Sequence, residues 1–149
     1  MNHPLFLIPI IVGIFAQLLK KFFNKRHLSE IKVGGVHMPR YGGMPSAHTA
    51  FAMSLLTTVA LADGLFSTTF AVATAITIFI LDDALRMRIF LGRHGQALRQ
   101  LIAKLPPVDQ KTFPGLETRL GHKLNEVLAG ACIGVIGAVI LYYLFLYFL

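Results

Sequence analysis

The chain is poor in charge and in cysteine. Charged residues make up 14% of its 149 residues, against about 25% in a typical soluble domain, whereas hydrophobic residues make up 55%. The single cysteine, Cys132, lies in an apolar run, so a disulfide framework is excluded. These shortages exclude a soluble globule, a disordered tail and a disulfide-rich secreted module. We expect residues 1–149 to form one integral membrane domain, because the length allows no second one.

The positive charge lies in two windows. Of the 14 Lys and Arg residues, six lie within residues 20–40 and eight within residues 86–123. A bilayer core is crossed by about 20 apolar helical residues. Four apolar stretches approach or exceed that length, at residues 4–19, 47–62, 65–81 and 124–149. The pattern predicts an all-α, multi-pass membrane bundle with about four transmembrane helices.

The charge pattern also predicts an orientation. Four spans place both basic windows on one side, and the positive-inside rule makes that side cytoplasmic, with both termini outside the cell (inner) membrane. The net charge of +7 then indicates attraction to anionic lipid headgroups rather than to nucleic acid. Residues 1–3 carry no positive charge, so we expect no cleaved signal peptide. Apolar residues at helical spacing within 94–105, followed by Pro106, predict a short amphipathic helix on the cytoplasmic surface.

Ionisable side chains gather where the apolar stretches meet the predicted cytoplasmic face. Each is costly at a membrane edge and is therefore a candidate functional group. The candidates are Lys20, Lys21, His48, Asp82, Asp83, Arg86, Arg88, His122 and Glu126. No His-Glu-x-x-His or Cys/His spacing occurs, so we expect no metal site. The alternatives for the two aspartates are Mg²⁺ binding beside a phosphate and pairing with the nearby arginines.

The segment 42–48 reads Gly-Gly-Met-Pro-Ser-Ala-His. Pro45 and Ser46 at a helix start are ordinary capping chemistry. Two preceding glycines, the second of them Gly43, also fit an anion site built from backbone N–H groups. His48, in the first turn, could give a proton to a leaving oxygen. A plain cap and an anion site are both consistent with this segment.

His122 and Glu126 are four residues apart, and therefore on one face of a helix. A carboxylate can hold an imidazole in one tautomer, which leaves the other ring nitrogen to attack or to bind. The alternative is a polar pair without chemistry. The glycines that follow, Gly130 and Gly134, have the small-xxx-small spacing typical of close helix packing.

Taken in order, these motifs resemble the type-2 phosphatidic acid phosphatase and vanadium haloperoxidase superfamily. Residues 45–48 are similar to its Pro-Ser-Gly-His motif, and His122 with Glu126 is similar to its last motif, a His with Asp four residues on. The divergent, short branch is the closer match, through Gly-Gly-Met-Pro-Ser-x-His, Asp-Ala-x-x-x-Arg at 83–88, and Gly-His before the acid. The usual Lys, six residues, Arg-Pro motif is only approximated at residues 32–40, and the Ser-Arg pair before the last His is missing.

The resemblance implies hydrolysis of a phosphate ester through a phosphohistidine, without metal or cofactor. His122 would be the nucleophile, Glu126 its orienting carboxylate, and His48 the acid that protonates the leaving group. The implied phosphate-binding set is Ser46, Gly43, Lys20, Lys21, Arg88 and Asp83.

The expected partners are the bilayer and a lipid or isoprenoid phosphate monoester, such as phosphatidylglycerophosphate or phosphatidic acid, and the small-residue face allows a homodimer. The alternative is a catalytically weak or inactive protein of the same fold that binds a lipid or an anion. A transporter is disfavoured because no charge lies mid-span.

Overall fold

Six helices and one short hairpin form the part of the chain that the computed structural model describes, which is residues 4–23, 31–33, 36–38, 43–110, 113 and 124–148. The helices are α1 (Leu7–Phe23), α2 (Ala47–Asp63), α3 (Thr68–Asp82), α4 (Arg88–Ile102), α5 (Pro107–Gln110) and α6 (Leu124–Phe148). A π-helical turn, Asp83–Met87, joins α3 to α4. Strands β1 (Ile31–Val33) and β2 (Val36–Met38) pair antiparallel, a hairpin that the sequence analysis did not predict.

Local sequence sets the boundaries of α2 and α3. The side chain of Ser46 caps the start of α2, as its residue type favours. At the other end Gly64 has φ +83°, a conformation that L side chains rarely adopt, and the chain turns back there. Ser67 then caps α3, its Oγ accepting from the backbone N–H of Phe70 at 3.1 Å. The division of the two apolar stretches at Asp63 and Gly64 is therefore as predicted.

Helix α2 is the centre of the bundle. It packs against α1, α3 and α6, and α1 also packs against α6. The apolar core between α1, α2 and α6 consists of small or branched side chains: Ile8, Val12, Ala16, Ala50 and Ala138. The helices approach closely because these contacts carry so many small residues.

The bundle has a largely apolar surface and several buried hydroxyl groups. Ser54, Thr58 and Thr77 are buried, whereas Phe79 is 76% exposed and Ile136 is 59% exposed. Thr58 Oγ1 donates to the Ser54 carbonyl oxygen at 2.8 Å, and Thr77 Oγ1 bonds both to the carbonyl oxygen of Ala73 in its own helix and to that of Ala52 in α2, the latter at 3.2 Å. Apolar residues outside and hydrogen-bonded hydroxyls inside suit a helical bundle surrounded by lipid.

Two helices in the described part of the chain are long and apolar enough to cross a membrane. They are Thr68–Ile102, with 35 residues, and Leu124–Phe148, with 25 residues. Leu7–Lys20 is a shorter apolar helix, and α2 has 17 residues. The helical bundle is confirmed, and the four membrane crossings and their orientation remain a prediction.

The amphipathic helix expected at residues 94–105 is present up to Ile102 as part of α4, but it is not separate from α3. Those residues up to Ile102 continue the helix that begins at Thr68, through the π-helical turn. The charged cluster at 82–88 does not stop the helix because each aspartate pairs with an arginine further along the same helix. The continuous helix is about 52 Å long at 1.5 Å per residue.

Candidate active site

A buried cap fixes the start of α2. Gly43, at φ +95°, brings the chain into the helix, and the Ser46 side chain is completely buried. Ser46 Oγ accepts hydrogen bonds from the Thr49 backbone N–H at 3.4 Å and from Thr49 Oγ1 at 2.9 Å. Ser46 therefore has the capping role that one of the two sequence interpretations expected. Its contact with phosphate, like that of Gly43, stays a prediction.

The first turns of α2 and α6 are joined through their backbones. The Ser46 N–H donates to the Glu126 carbonyl oxygen at 3.0 Å. One turn further along α6, a Cβ at Gly130 would collide with the Ser46 carbonyl oxygen, and at Gly134 a Cβ would lie 2.6 Å from the Ala50 carbonyl oxygen. Glycine at these two positions therefore lets α6 lie against α2. This contact brings the predicted orienting residue, Glu126, beside the predicted anion-binding turn.

A cleft of about 220 Å³ opens beside the first turn of α2. His48 lines one side of it, and Asp83 and Arg88 line the other. The remaining lining is apolar: Phe79, Ile80 and Ala84. The structure thus brings His48 and Arg88 to one cleft, although 40 positions separate them in the chain. A histidine and a guanidinium facing one space can donate protons and hydrogen bonds to the same anion.

The π-helical turn orients Arg88. Arg88 Nε donates to Asp83 Oδ2 at 2.7 Å across five residues, a spacing that a π-helical turn places on one face and an α-helix does not. Asp82 pairs with Arg86 across four residues, at 2.8 Å. The Arg88 side chain is 23% exposed and that of Arg86 is 72% exposed. The turn therefore directs the Arg88 side chain toward the interior of the bundle and leaves the Arg86 side chain exposed.

Lys20 joins this group from the end of α1. Its half-buried side chain interacts electrostatically with the Glu126 carboxylate and with the Arg88 guanidinium. Residues from α1, α2, the π-helical turn, α4 and α6 therefore meet at one end of the bundle. We refer to this group as the charged end: Lys20, His48, Asp83, Arg88 and Glu126.

Two predicted site residues cannot be placed in this geometry. His122 lies outside the described residues. Lys21 belongs to α1, but its side chain is outside the described part of the chain. Glu126, four residues after His122 in the sequence, is the nearest predicted site residue that the structure describes.

Asp83 is an ion-pair partner of Arg88. Pairing with a nearby arginine was one of the two alternatives that the sequence left open for this aspartate, whereas the family resemblance implied a place for Asp83 in the phosphate-binding set. Within the described residues, no three His, Cys, Asp or Glu side chains gather in a metal-binding group.

Comparison with known proteins identifies the family of the chain. The model of the divergent PAP2 family matches residues 1–137, and the chain belongs to that family. The resemblance to the divergent, short branch of the type-2 phosphatidic acid phosphatase superfamily is thereby confirmed. The chain is also 31% identical over 159 residues to the uncharacterized membrane protein YuiD of Bacillus subtilis (strain 168), covering 97% of each chain. No solved structure matches at a significant level.

Proposed function

We propose that the protein is a membrane phosphatase that hydrolyses a lipid or isoprenoid phosphate monoester through a phosphohistidine. The observation that carries the proposal is the charged end, where a histidine, two cationic side chains and two carboxylates converge from different elements of the bundle. Membership of the divergent PAP2 family supports the same reaction class. Phosphatidic acid and phosphatidylglycerophosphate are substrates of the expected kind.

In the proposed reaction, an imidazole nitrogen of His122 attacks phosphorus and the ester P–O bond breaks. His48 donates a proton to the departing alcohol oxygen, which leaves as a neutral hydroxyl group. His48 then accepts a proton from water, whose oxygen attacks the phosphohistidine and releases inorganic phosphate and free His122. Glu126 holds the His122 imidazole in the required tautomer.

Charge stabilisation is assigned to Lys20 and Arg88. The transferring phosphoryl group carries its charge on three equatorial oxygens, and fixed cations beside them lower the barrier. Arg88 is held by Asp83 at 2.7 Å, so its guanidinium is positioned before substrate arrives. Asp83 is thus a positioning residue in this scheme.

The proposed site faces the cytoplasm. The support is the placement of all 14 Lys and Arg residues in two windows that four spans would put on one side. The substrate would then lie in the cytoplasmic leaflet of the cell membrane. A reporter fused to the C-terminus is expected to be active outside the cytoplasm, and a cytoplasmic C-terminus would overturn this orientation.

Phosphate release from purified protein tests the reaction. The protein in phosphatidylcholine vesicles is offered phosphatidic acid, phosphatidylglycerophosphate and an isoprenoid monophosphate, beside His48→Ala, His122→Ala and the control His94→Ala. His94 is exposed in α4 and lies away from the cleft lining. We expect a loss of at least about 100-fold for the first two variants and none for the control. Equal release by all four proteins would refute the phosphohistidine scheme.

A second candidate is a lipid- or anion-binding protein without turnover. Two observations favour it: the Ser46 hydroxyl is buried and already bonded within α2, and Arg88 is already paired with Asp83. This candidate predicts saturable binding of phosphatidic acid vesicles that Arg88→Ala weakens, with no phosphate released from any of the three substrates. Release that depends on His48 would exclude it.

A further inference from the structure

A groove of about 400 Å³ runs between α1 and α6 on the apolar side of the bundle. Its lining is almost entirely nonpolar, and the residues that matter below are Ile11, Val12, Phe15, Ile133, Gly137 and Ile140. The groove lies apart from the cleft at His48 and Arg88, which has a different lining. It is therefore a second cavity, and unlike the cleft it has no ionisable side chain in its lining.

Gly137 and Val12 form the floor of the groove. Val12 is buried, and a Cβ at Gly137 would lie 3.0 Å from Val12 Cγ2, so the two helices are in close contact there. Phe15 and Ile140 are both more than half exposed and form the walls. A glycine floor between large exposed side chains makes a channel that is open along its side.

The groove is in line with the charged end. Glu126, Ile133 and Ile140 follow one another at seven-residue steps on α6, which keeps them on nearly the same face and about 10 Å apart along the axis. Along the axis of α6, the groove thus extends from about 10 Å to about 20 Å from Glu126, toward the opposite end of the bundle. One leaflet of a bilayer core is about 15 Å thick. The part of the groove nearer the charged end therefore lies at the depth of the hydrocarbon chains of a lipid whose headgroup is at that end.

We propose that the groove between α1 and α6 holds a hydrocarbon chain of the lipid phosphate whose headgroup lies at Lys20 and Arg88. This inference rests on the proposed function and names its substrate class: a phosphate monoester with a long hydrocarbon chain. Charge complementarity selects this occupant, because the cations above the groove suit a phosphate and the apolar walls suit a chain. A water-soluble phosphate ester, which has no chain, is bound weakly.

Photolabelling tests the groove without any turnover. The full chain in phosphatidylcholine nanodiscs is exposed to phosphatidic acid that carries a diazirine in one acyl chain, and the labelled peptides are mapped. We expect labelling at residues 11–15 and 133–140 that unlabelled phosphatidic acid displaces and phosphatidylcholine does not. Equal labelling by a diazirine phosphatidylcholine would show ordinary surrounding lipid and overturn the proposal. Crosslinks from this groove to a second copy of the chain would overturn it in favour of a dimer contact.

Two tryptophan substitutions on α6 form a matched pair, one that fills the groove and one that does not. Ile140→Trp places a large side chain on the wall, and Val135→Trp places the same group on an exposed α6 position that does not line the groove. We expect Ile140→Trp to reduce the displaceable labelling about tenfold, the effect of losing contact with about two methylene groups, and Val135→Trp to leave it unchanged. Ile133→Trp replaces the first variant should that one fail to fold. An equal effect of groove and control variants would overturn the proposal.

An activity measurement separates failure of the groove from failure of the proposed function. Ile140→Trp should lower kcat/KM for a long-chain phosphatidic acid about tenfold and leave that for dihexanoyl phosphatidic acid unchanged. Displaceable labelling together with no phosphate release would refute the phosphatase function and support the groove. Phosphate release together with non-selective labelling would refute the groove alone.

Discussion

The charged end of the bundle, where α1 finishes and α2 and α6 begin, contrasts with the opposite end, where the turn between α2 and α3 lies beside the last turns of α6. At the charged end, ionisable side chains from several helices face one another. At the opposite end, residues 60–67 and 142–149 contain no Lys or Arg, and α6 is joined to α2 by a neutral hydrogen bond from Tyr142 to the Leu61 carbonyl oxygen.

The difference between the ends shows that one short bundle places its candidate reactive groups at one end and a structural link between helices at the other. Charges near lipid are costly unless they are paired or functional, and the charged end has both pairing and a cleft. At the opposite end, the hydroxyls of Tyr142 and Ser67 donate to the backbone carbonyl oxygens of Leu61 and Gly64. Substitutions at the charged end should therefore affect activity, whereas those at the opposite end should affect only stability.

The largest effect is expected for Arg88→Ala. Removing a preorganised donor from the site of charge development lowers kcat by about 100- to 1000-fold. The control is Arg86→Ala, whose exposed ion pair contributes little. Phosphate release from phosphatidic acid measures both variants. Similar losses of phosphate release for the two variants would contradict the conclusion that the π-helical turn directs Arg88 into the bundle and Arg86 out of it.

A smaller effect, on stability, is expected for Gly130→Ala. The added Cβ meets the Ser46 backbone, which cannot move without shifting α2, so the variant should lose about 1–3 kcal/mol. Gly137→Ala meets the side chain of Val12 instead, at 3.0 Å, and should lose less. The apparent melting temperature in detergent measures both. A larger loss of stability for Gly137→Ala than for Gly130→Ala would contradict the expectation that the contact with the Ser46 backbone tolerates an added Cβ less well.

Asp83→Asn tests positioning by the ion pair. Without the carboxylate, Arg88 loses its charged partner, and we expect kcat to fall about tenfold with KM changed less. Asp82→Asn is the matched control, since its partner Arg86 is mostly exposed. Asp83→Glu should recover part of the lost kcat, which a purely structural role would not require. Equal kcat values for Asp83→Asn and the unmodified protein would remove Asp83 from the scheme.

The smallest effect is expected at the opposite end. Tyr142→Phe removes the hydroxyl that donates to Leu61 O at 3.0 Å, and hydrogen bonds between membrane helices contribute about 0.6 kcal/mol on average. The variant should melt slightly earlier and release phosphate at an unchanged rate. A marked loss of activity would show that the two ends are coupled, against the separation described above.

Much of the helical framework could be predicted because short sequence signals mark it. Ser46 as a cap predicts the start of α2, and the change from polar to apolar residues predicts the start of α6 at Leu124. The continuation of the helix beyond α3 could not be predicted, because Asp82 and Asp83 resemble a helix stop until their arginine partners are known. A charge that is neutralised within its own helix does not interrupt it.

The candidate site could be predicted in its membership but not in its geometry. Sequence spacing nominated His48, Arg88 and Glu126, since each is an ionisable residue beside an apolar run. It could not show that Asp83 binds Arg88, which depends on a local π-helical turn, nor that Lys20, on another helix, lies close enough to Glu126 for their charges to interact. The groove between α1 and α6 depends on two distant stretches meeting at Gly137 and Val12, which no local pattern reports.

The hydrogen bond from the Ser46 N–H to the Glu126 carbonyl joins two backbone groups, and this makes architecture and chemistry at residue 126 separable. Replacing the Glu126 side chain removes a carboxylate but not the link between α2 and α6. An aspartate in place of Glu126 would therefore shift the carboxylate without moving the helix that carries it. Main-chain contacts thus set the position of the site, whereas side chains set its reactivity.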